Sequence, residues 1–251
     1  MQDNKRLSDG PEDRVSAEEI KAFYNDLSTI YPREDPWHYA SHREISDFVL
    51  KHAAGSSKVL NLGSGGSTYG LKPESITHID LLPKHAPKEG RFIIGDVQNL
   101  PDLSEHFDFC VCVGSVLNHC DASAVITGAA RNLEDGGRFC LEFETSRSAE
   151  LLKTNAFGRS ASVVNTFYQG KTIRLWAYSE EYIESLVKAA GFRIIKTHRF
   201  FIFPPVVYLF TKQVNLAVRF KFADFLLRRI PWVRRFCGNI IFLCEKRTSK
   251  T

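Results

Sequence analysis

Asp80 lies 17 residues beyond Gly63, and Asp96 another 16 beyond Asp80. Gly63 opens the turn Gly63-Ser64-Gly65-Gly66-Ser67, which follows the short apolar run Lys58-Val59-Leu60-Asn61-Leu62. A strand that ends in glycines lets a ligand approach backbone where a Cβ would clash. A carboxylate at the tip of the next strand can accept hydrogen bonds from two adjacent ribose hydroxyls. Together these residues read as half of a nucleotide-type cofactor site on a doubly wound sheet. Each has a plainer reading: the glycines as a tight connection, either acid as a strand-end cap. The joint spacing favours the ligand.

The glycine spacing narrows the cofactor. A dinucleotide fingerprint, G-x-G-x-x-G, would place its third glycine at position 68, which is Thr68. The lysine and hydroxyl of a phosphate-binding loop, G-x-x-x-x-G-K-S/T, are also missing. The turn instead resembles the first motif of the class I S-adenosylmethionine (SAM) methyltransferases, an acidic residue or Asn followed by x-G-x-G-x-G. Here that motif falls on Asn61, Gly63 and Gly65, with Ser67 in the third small position. The resemblance continues through Ile76–Leu81, Arg91–Val97, Phe107–His119, Ala129–Glu144 and Tyr178–Phe192, in the family's order. It covers roughly residues 20 to 200 and a final strand.

The resemblance implies an α/β fold: a Rossmann-like, mostly parallel seven-stranded sheet with helices on both faces and an antiparallel last strand. It implies SAM as cofactor. Carried over residue by residue, Asn61, Gly63, Ser64 and Gly65 would line the methionine portion. Asp80 would accept from the ribose with Leu81 against the adenine, and Asp96 from the adenine amino group with Val97 behind the ring. Gly114 would bring backbone near the methionine amine. Tyr24, Tyr31 and Arg43 would come from N-terminal helices that close over the cofactor, with Arg43 a fork donor for its carboxylate. Methyl transfer from a sulfonium is an in-line displacement that needs chiefly proximity, and a base only where the nucleophile must lose a proton. Base candidates are His119, just past the fourth strand, and Glu144, at the tip of the fifth. Asn118-His119-Cys120 can also be read as a cap of the helix beginning near Ala122.

Bulk properties fit such an enzyme. The chain has 251 residues, 43% hydrophobic and 25% charged, with a net charge of +4, which is too small to indicate nucleic acid. Six cysteines without a C-x-x-C suggest neither a disulfide scaffold nor a metal site, so a reducing cytoplasm is expected. No apolar run is a signal peptide, and the densest, Phe200 to Phe210, is too short to span a bilayer and holds Pro204-Pro205.

Residues 1 to 15 read as a disordered tail and 16 to 251 as a single domain. Within it a helical cap covers 16–57: Ser16-Ala-Glu-Glu19 fits a capping box, and a second helix is expected from Ser41 after breaks at Pro32 and Pro36. Strands are expected near 58–62, 76–81, 91–95, 108–113, 138–143, 193–199 and 239–245. The connection from Gly63 to Ile76 is short and contains Pro73, so its helix must be abbreviated. Gln169-Gly-Lys between two apolar runs signals a hairpin, a lid over the acceptor site within an insertion spanning 145–178 or a plain sheet extension.

A second insertion, 200–238, precedes the last strand. From Arg199 to Gly238 there are eight basic residues against the single acid Asp224, a local charge of +7, and ten of the chain's 30 aromatics. On a helical wheel Lys221, Asp224, Arg228 and Arg229 share one face and Leu216, Phe220, Phe222, Ala223, Leu226, Leu227 and Ile230 the other. Three readings follow: a peripheral membrane contact, packing on the domain with the arginines in water, or a homodimer contact. The favoured function is methylation of an O, N or C nucleophile on a small biosynthetic metabolite. Alternatives are a lipid-linked acceptor and a non-catalytic scaffold. Nucleic acid is disfavoured because an Asp/Asn-Pro-Pro-Tyr/Phe motif is absent, and a nicotinamide cofactor by Thr68.

Overall fold

Strands whose residues are nearly all apolar must be covered on both faces, and that condition orders this sheet. β1 (Val59–Leu62) buries every residue, and β4 (Phe107–Cys112) all but Asp108. The computed structural model describes residues 15–248; the tail expected over 1 to 15 lies, Val15 aside, outside them. Around β1 and β4 stand β2 (Ile76–Asp80), β3 (Arg91–Ile94) and β5 (Leu133–Glu144). β8 (Phe192–Phe200) and β9 (Asn239–Lys246) complete a seven-stranded sheet in the order β3-β2-β1-β4-β5-β9-β8. β1 to β5 pair in parallel, while β9 runs antiparallel between β5 and β8. The strand order reverses between β1 and β4, so their carboxyl ends open a crevice for a ligand.

Helices cover both faces. α3 (Ala122–Asn132) and α4 (Glu180–Ala189) bury Val125, Ile126, Ile183 and Val187 in a core with Phe139, Phe143 and Phe192. On the other face α2 (Pro36–Ala53) sets Ile45, Phe48 and Val49 against Val59, Phe109 and Val111. α2 starts five residues before the expected Ser41. Asp35 caps it by accepting from the His38 amide, and Pro36 occupies the first helical position, where its missing N–H costs nothing. Read as a breaker, Pro36 was in fact an initiator. α1 (Ala17–Asn25) carries the Ser16–Glu19 capping box as expected.

The link from β1 to β2 goes further than abbreviation: it has no α-helix, only a 3-10 turn at Pro73–Ser75. The hairpin forms as β6 (Ala161–Tyr168) and β7 (Lys171–Tyr178), a separate two-stranded sheet. Gln169 (φ 47°) and Gly170 (φ 80°) turn it with both residues left-handed, the geometry that suits a two-residue hairpin. It leans on α1 through Lys171–Asp26 and Arg174–Glu19 pairs.

The basic insertion reverses the wheel expectation. It breaks into α5 (Pro204–Thr211), α6 (Val214–Arg219), a 3-10 turn at Phe220–Ala223 and α7 (Asp224–Leu227). Three residues of its polar face, Lys221, Asp224 and Arg228, turn toward the domain, while Arg229 stays exposed. Asp224 is buried and accepts from the amides of Ile202 and Phe203 at 2.9–3.2 Å. Lys221 pairs with Glu44 of α2 at 2.5 Å, and Arg228 lies 3.5 Å from the same carboxylate. His198 of β8 completes the cluster 2.6 Å from Glu44. Phe222, Phe225 and Leu226 point outward. Buried backbone amides with no other partner draw the acid inward, and Glu44 draws the cations after it.

Burial pushes the Glu44 carboxyl up, but His198 and Lys221 outweigh it and hold the group at about 2, against an ordinary 4.5. Its contribution to stability is therefore complete above pH 4.5 and lost as pH falls through 2. Glu44→Gln should lower unfolding free energy by about 2–3 kcal/mol at pH 7, since it strands Lys221 and Arg228. The deficit against wild type should shrink below pH 4.5; urea titrations at pH 7 and pH 3.5 measure it.

Candidate functional site

The crevice is built where β1, β2 and β4 end. Gly63 (φ 63°) and Gly65 (φ 52°) sit in the left-handed region. A Cβ on Gly63 would stand 2.5 Å from Val116, so glycine is required there twice over. The turn is fastened from below and beside. Asn61 is buried beneath it and donates from Nδ2 to the Ser67 carbonyl at 2.8 Å. The Gly66 amide donates to Ser64 Oγ, and the Gly65 amide to Asp80 Oδ2 at 2.8 Å. Asp80 Oδ1 accepts from the Leu82 amide at 3.0 Å.

One cleft gathers Gly63, Ser64, Gly65, Asp80, Leu81, Asp96, Val97, Gly114, Tyr24, Tyr31 and His119. Eleven of the residues singled out in the sequence thus meet at one place. Two do not reach it as expected. Asn61 supports the glycine turn from beneath instead of lining the cleft. Arg43 is exposed on α2, where the helix phase turns its neighbour His42 inward, 4.3 Å between ring centres from Tyr31. The fork donor is therefore not assembled here. Residues the sequence did not single out also line the cleft, among them Ile30, His85 and Gln98. Gln98 carried one signal, its position two residues beyond Asp96, since Asp96 Oδ1 accepts from its amide at 2.9 Å.

Asp80 and Asp96 are both strand-end caps and cleft carboxylates, so the two readings coexist. Asp96 Oδ2 accepts from Asn99 Nδ2 at 3.2 Å. A carboxylate offers about four lone-pair sites; both Asp80 oxygens and Asp96 Oδ2 retain one for a ligand, whereas Asp96 Oδ1 also accepts from Gln98 Nε2 at 3.4 Å. The cleft volume is 90 Å³, against about 300 Å³ or more for a typical small-molecule site. The cap takes up the difference: Ile30 Cδ1 approaches Gly65, and a Cβ on Gly114 would lie 2.2 Å from Tyr31 Oη.

The base candidates separate. His119 is buried on the cleft side and shares a 3.0 Å hydrogen bond with Tyr24 Oη. Burial lowers its imidazole to about 4, so it is neutral near pH 7. Glu144 lines a second cavity of 860 Å³, where it accepts from Ser115 Oγ at 2.6 Å. That cavity is walled by the hairpin at Val164–Phe167, by Trp37 and by Tyr208 and Asn215 of the basic insertion. Among the described residues Glu34, Asp35, Glu144 and Glu150 line it, with no lysine or arginine, and Ser148 Oγ is buried there without a partner among them. Between the two spaces lies Glu142, which sequence reading passed over as one more position in an apolar strand. It is fully buried and accepts from the Ser115 amide at 2.7 Å and from Asn239 Nδ2 at 2.6 Å.

Comparison with known proteins bears on the fold. Residues 57–141 match the family model described as the methyltransferase domain. No curated protein sequence matches the chain significantly. Among solved structures, the 1,6-didemethyltoxoflavin N1-methyltransferase of Burkholderia thailandensis, solved with that compound and S-adenosylhomocysteine, has 16% identity and a TM-score of 0.56 over 92% of this chain and 89% of its own. A SAM-dependent methyltransferase of Clostridium acetobutylicum has 14% identity and a TM-score of 0.52 over 92% and 97%. The cyclase SpnF has 17% identity and a TM-score of 0.54 over 82% and 81%. The fold is that of the class I SAM-dependent methyltransferases. Residues 57–141, which hold the glycine turn and both cleft aspartates, carry the sequence match to the methyltransferase-domain family.

Burial pushes the Glu150 carboxyl up to about 7, with Glu144 adding to the shift. A raised carboxyl contributes fully below its ordinary 4.5 and loses that contribution as pH rises through 7. Glu150 lies on the cavity wall with its side chain exposed, so solvent screens most of this shift. Glu150→Gln should therefore be neutral at pH 5 and stabilising by roughly 1 kcal/mol at pH 8, read from denaturant midpoints at the two pH values.

Proposed function

We propose that the chain is a SAM-dependent methyltransferase acting on a small-molecule acceptor held in the 860 Å³ cavity. The observation that carries this reading is the Asp80 carboxylate, bound to the Gly65 amide on one oxygen and the Leu82 amide on the other. It couples the glycine turn to the tip of β2 and keeps one lone pair per oxygen directed to the cleft, as vicinal ribose hydroxyls require. When bound, the cofactor supplies a sulfonium-activated methyl for in-line displacement. The chain's own residues hold and exclude: Leu81 and Val97 as apolar walls, Asp96 as acceptor, and backbone at Gly63 and Gly114. Ile30 and Tyr31 withdraw to admit the ligand and close water out afterwards.

On the acceptor side, four carboxylates without a lining Lys or Arg favour a molecule rich in hydrogen-bond donors or carrying a protonated amine. Glu144 is the group placed to take a proton from such an acceptor. His119, neutral and held by Tyr24, positions the cap over the cleft. Much of the rate would come from proximity alone.

Calorimetric titration tests the cofactor reading. SAM should bind with a dissociation constant of roughly 1 μM to 1 mM, and NAD should not. Asp80→Ala should weaken SAM binding by about tenfold to a hundredfold. A folded protein that binds no SAM would overturn the proposal.

A further inference from the structure

The basic insertion presents an outward surface that the methyl-transfer reading does not use. Between Arg219 and Arg235, Phe222 is 74% exposed, Phe225 61%, Leu226 63% and Trp232 67%. Side chains of this size lose roughly 1.5–3 kcal/mol each when left in water. Four of them within eleven residues call for a partner. The stretch is built to hold them outward. Asp224 is tied to the Ile202 and Phe203 amides, and Lys221 and Arg228 are tied to Glu44, so the polar side cannot rotate out.

The same tethering divides the charge. Lys221 and Arg228 are neutralised inward, whereas Arg219, Arg229, Arg234 and Arg235 are exposed and make no ion pair among the described residues. Arg229 lies 4.6 Å over the Phe225 ring. The one acid of the segment, Asp224, is buried. The surface is thus aromatic and aliphatic side chains among four guanidiniums, with no exposed carboxylate.

We propose that this face, residues 219–235, docks on an anionic lipid surface, with Phe222, Phe225, Leu226 and Trp232 entering the headgroup boundary and the four arginines meeting lipid phosphates. A second copy of the chain is the poorer occupant. A two-fold contact sets the patch against itself and opposes four cations with four cations. The docking is peripheral: among the described residues no helix is long and apolar enough to cross a membrane.

The test is co-sedimentation of the whole chain with vesicles of phosphatidylcholine alone and with added phosphatidylserine. Wild type should partition to the serine-containing vesicles and be released by high salt. Arg219→Glu, Arg229→Glu, Arg234→Glu and Arg235→Glu together should reduce partition more than a hundredfold, at about fivefold or more per guanidinium. Phe222→Ser with Trp232→Ser should reduce it on both vesicle types while leaving the thermal midpoint unchanged, since both side chains already stand in water. Equal partition of wild type and the four-fold variant would overturn the proposal. So would a concentration-dependent dimer that the variant abolishes, or capture by a single-stranded oligonucleotide in preference to vesicles.

Discussion

The cofactor end of this molecule depends on a carboxylate doing the work of a helix. In most doubly wound sheets the glycine turn after β1 runs into an α-helix, whose hydrogen-bond ladder fixes the turn and whose N-terminus attracts phosphate. Here residues 63–75 contain no α-helix. The turn is fixed by Asp80 on the Gly65 amide and by Asn61 on the Ser67 carbonyl. Such an arrangement suits a ligand without phosphate, because an anion-binding helix end would have nothing to bind. It also makes Asp80 the scaffold of the turn and a wall of the cleft at once. Loss of that side chain would loosen the turn and strip a carboxylate from the cleft together.

A second tether, centred on Glu44, does for the wall of the large cavity what Asp80 does for the cleft. Glu44 gathers His198, Lys221 and Arg228 from β8 and the insertion onto α2. Tyr208 and Asn215 of that insertion wall the large cavity, while residues 219–235 form the outward surface. One half-buried carboxylate thereby fixes a cavity wall and an exposed face. The chain's charge is correspondingly partitioned: cations collect on the outside of the insertion, and carboxylates line the cavity within. A net charge of +4 conceals both.

Sequence and structure agree where burial is two-sided or turn chemistry is local. β1 and β4 were legible because almost every residue is apolar, and the hairpin because Gln169-Gly170 tolerates left-handed φ. The cleft was legible because its acids sit at strand tips a fixed distance apart. What was not legible depended on tertiary partners. A helical wheel assumes one continuous helix with its apolar side inward. The insertion instead breaks at Phe220–Ala223, and Asp224 is claimed by two buried amides. Arg43 and His42 differ by one residue, or about 100° of helix phase, and that alone turns His42 inward against Tyr31 and leaves Arg43 exposed. Asn61 fits the family's motif in type but supports the turn from beneath.

The separation of His119 from Glu144 bears on chemistry. A coupled acid–base pair needs both groups within hydrogen-bond reach of the reacting atoms. These two open onto different spaces, with Glu142, Ser115 and Gly114 in the wall between. A neutral His119 buried against Tyr24 anchors the cap, and Glu144 faces the large cavity. Methyl transfer from a sulfonium tolerates this, since the leaving group departs neutral and needs no acid. The acids divide the same way: Asp80 and Asp96 line the cleft, Glu144 and Glu150 the large cavity. Glu142 has a different task. Its carboxyl, raised by burial to about 7, sits between two carboxylate-lined spaces and accepts from Ser115 and Asn239. Those two bonds tie the segment after β4 and the start of β9 to β5, and so hold the wall between the cleft and the large cavity.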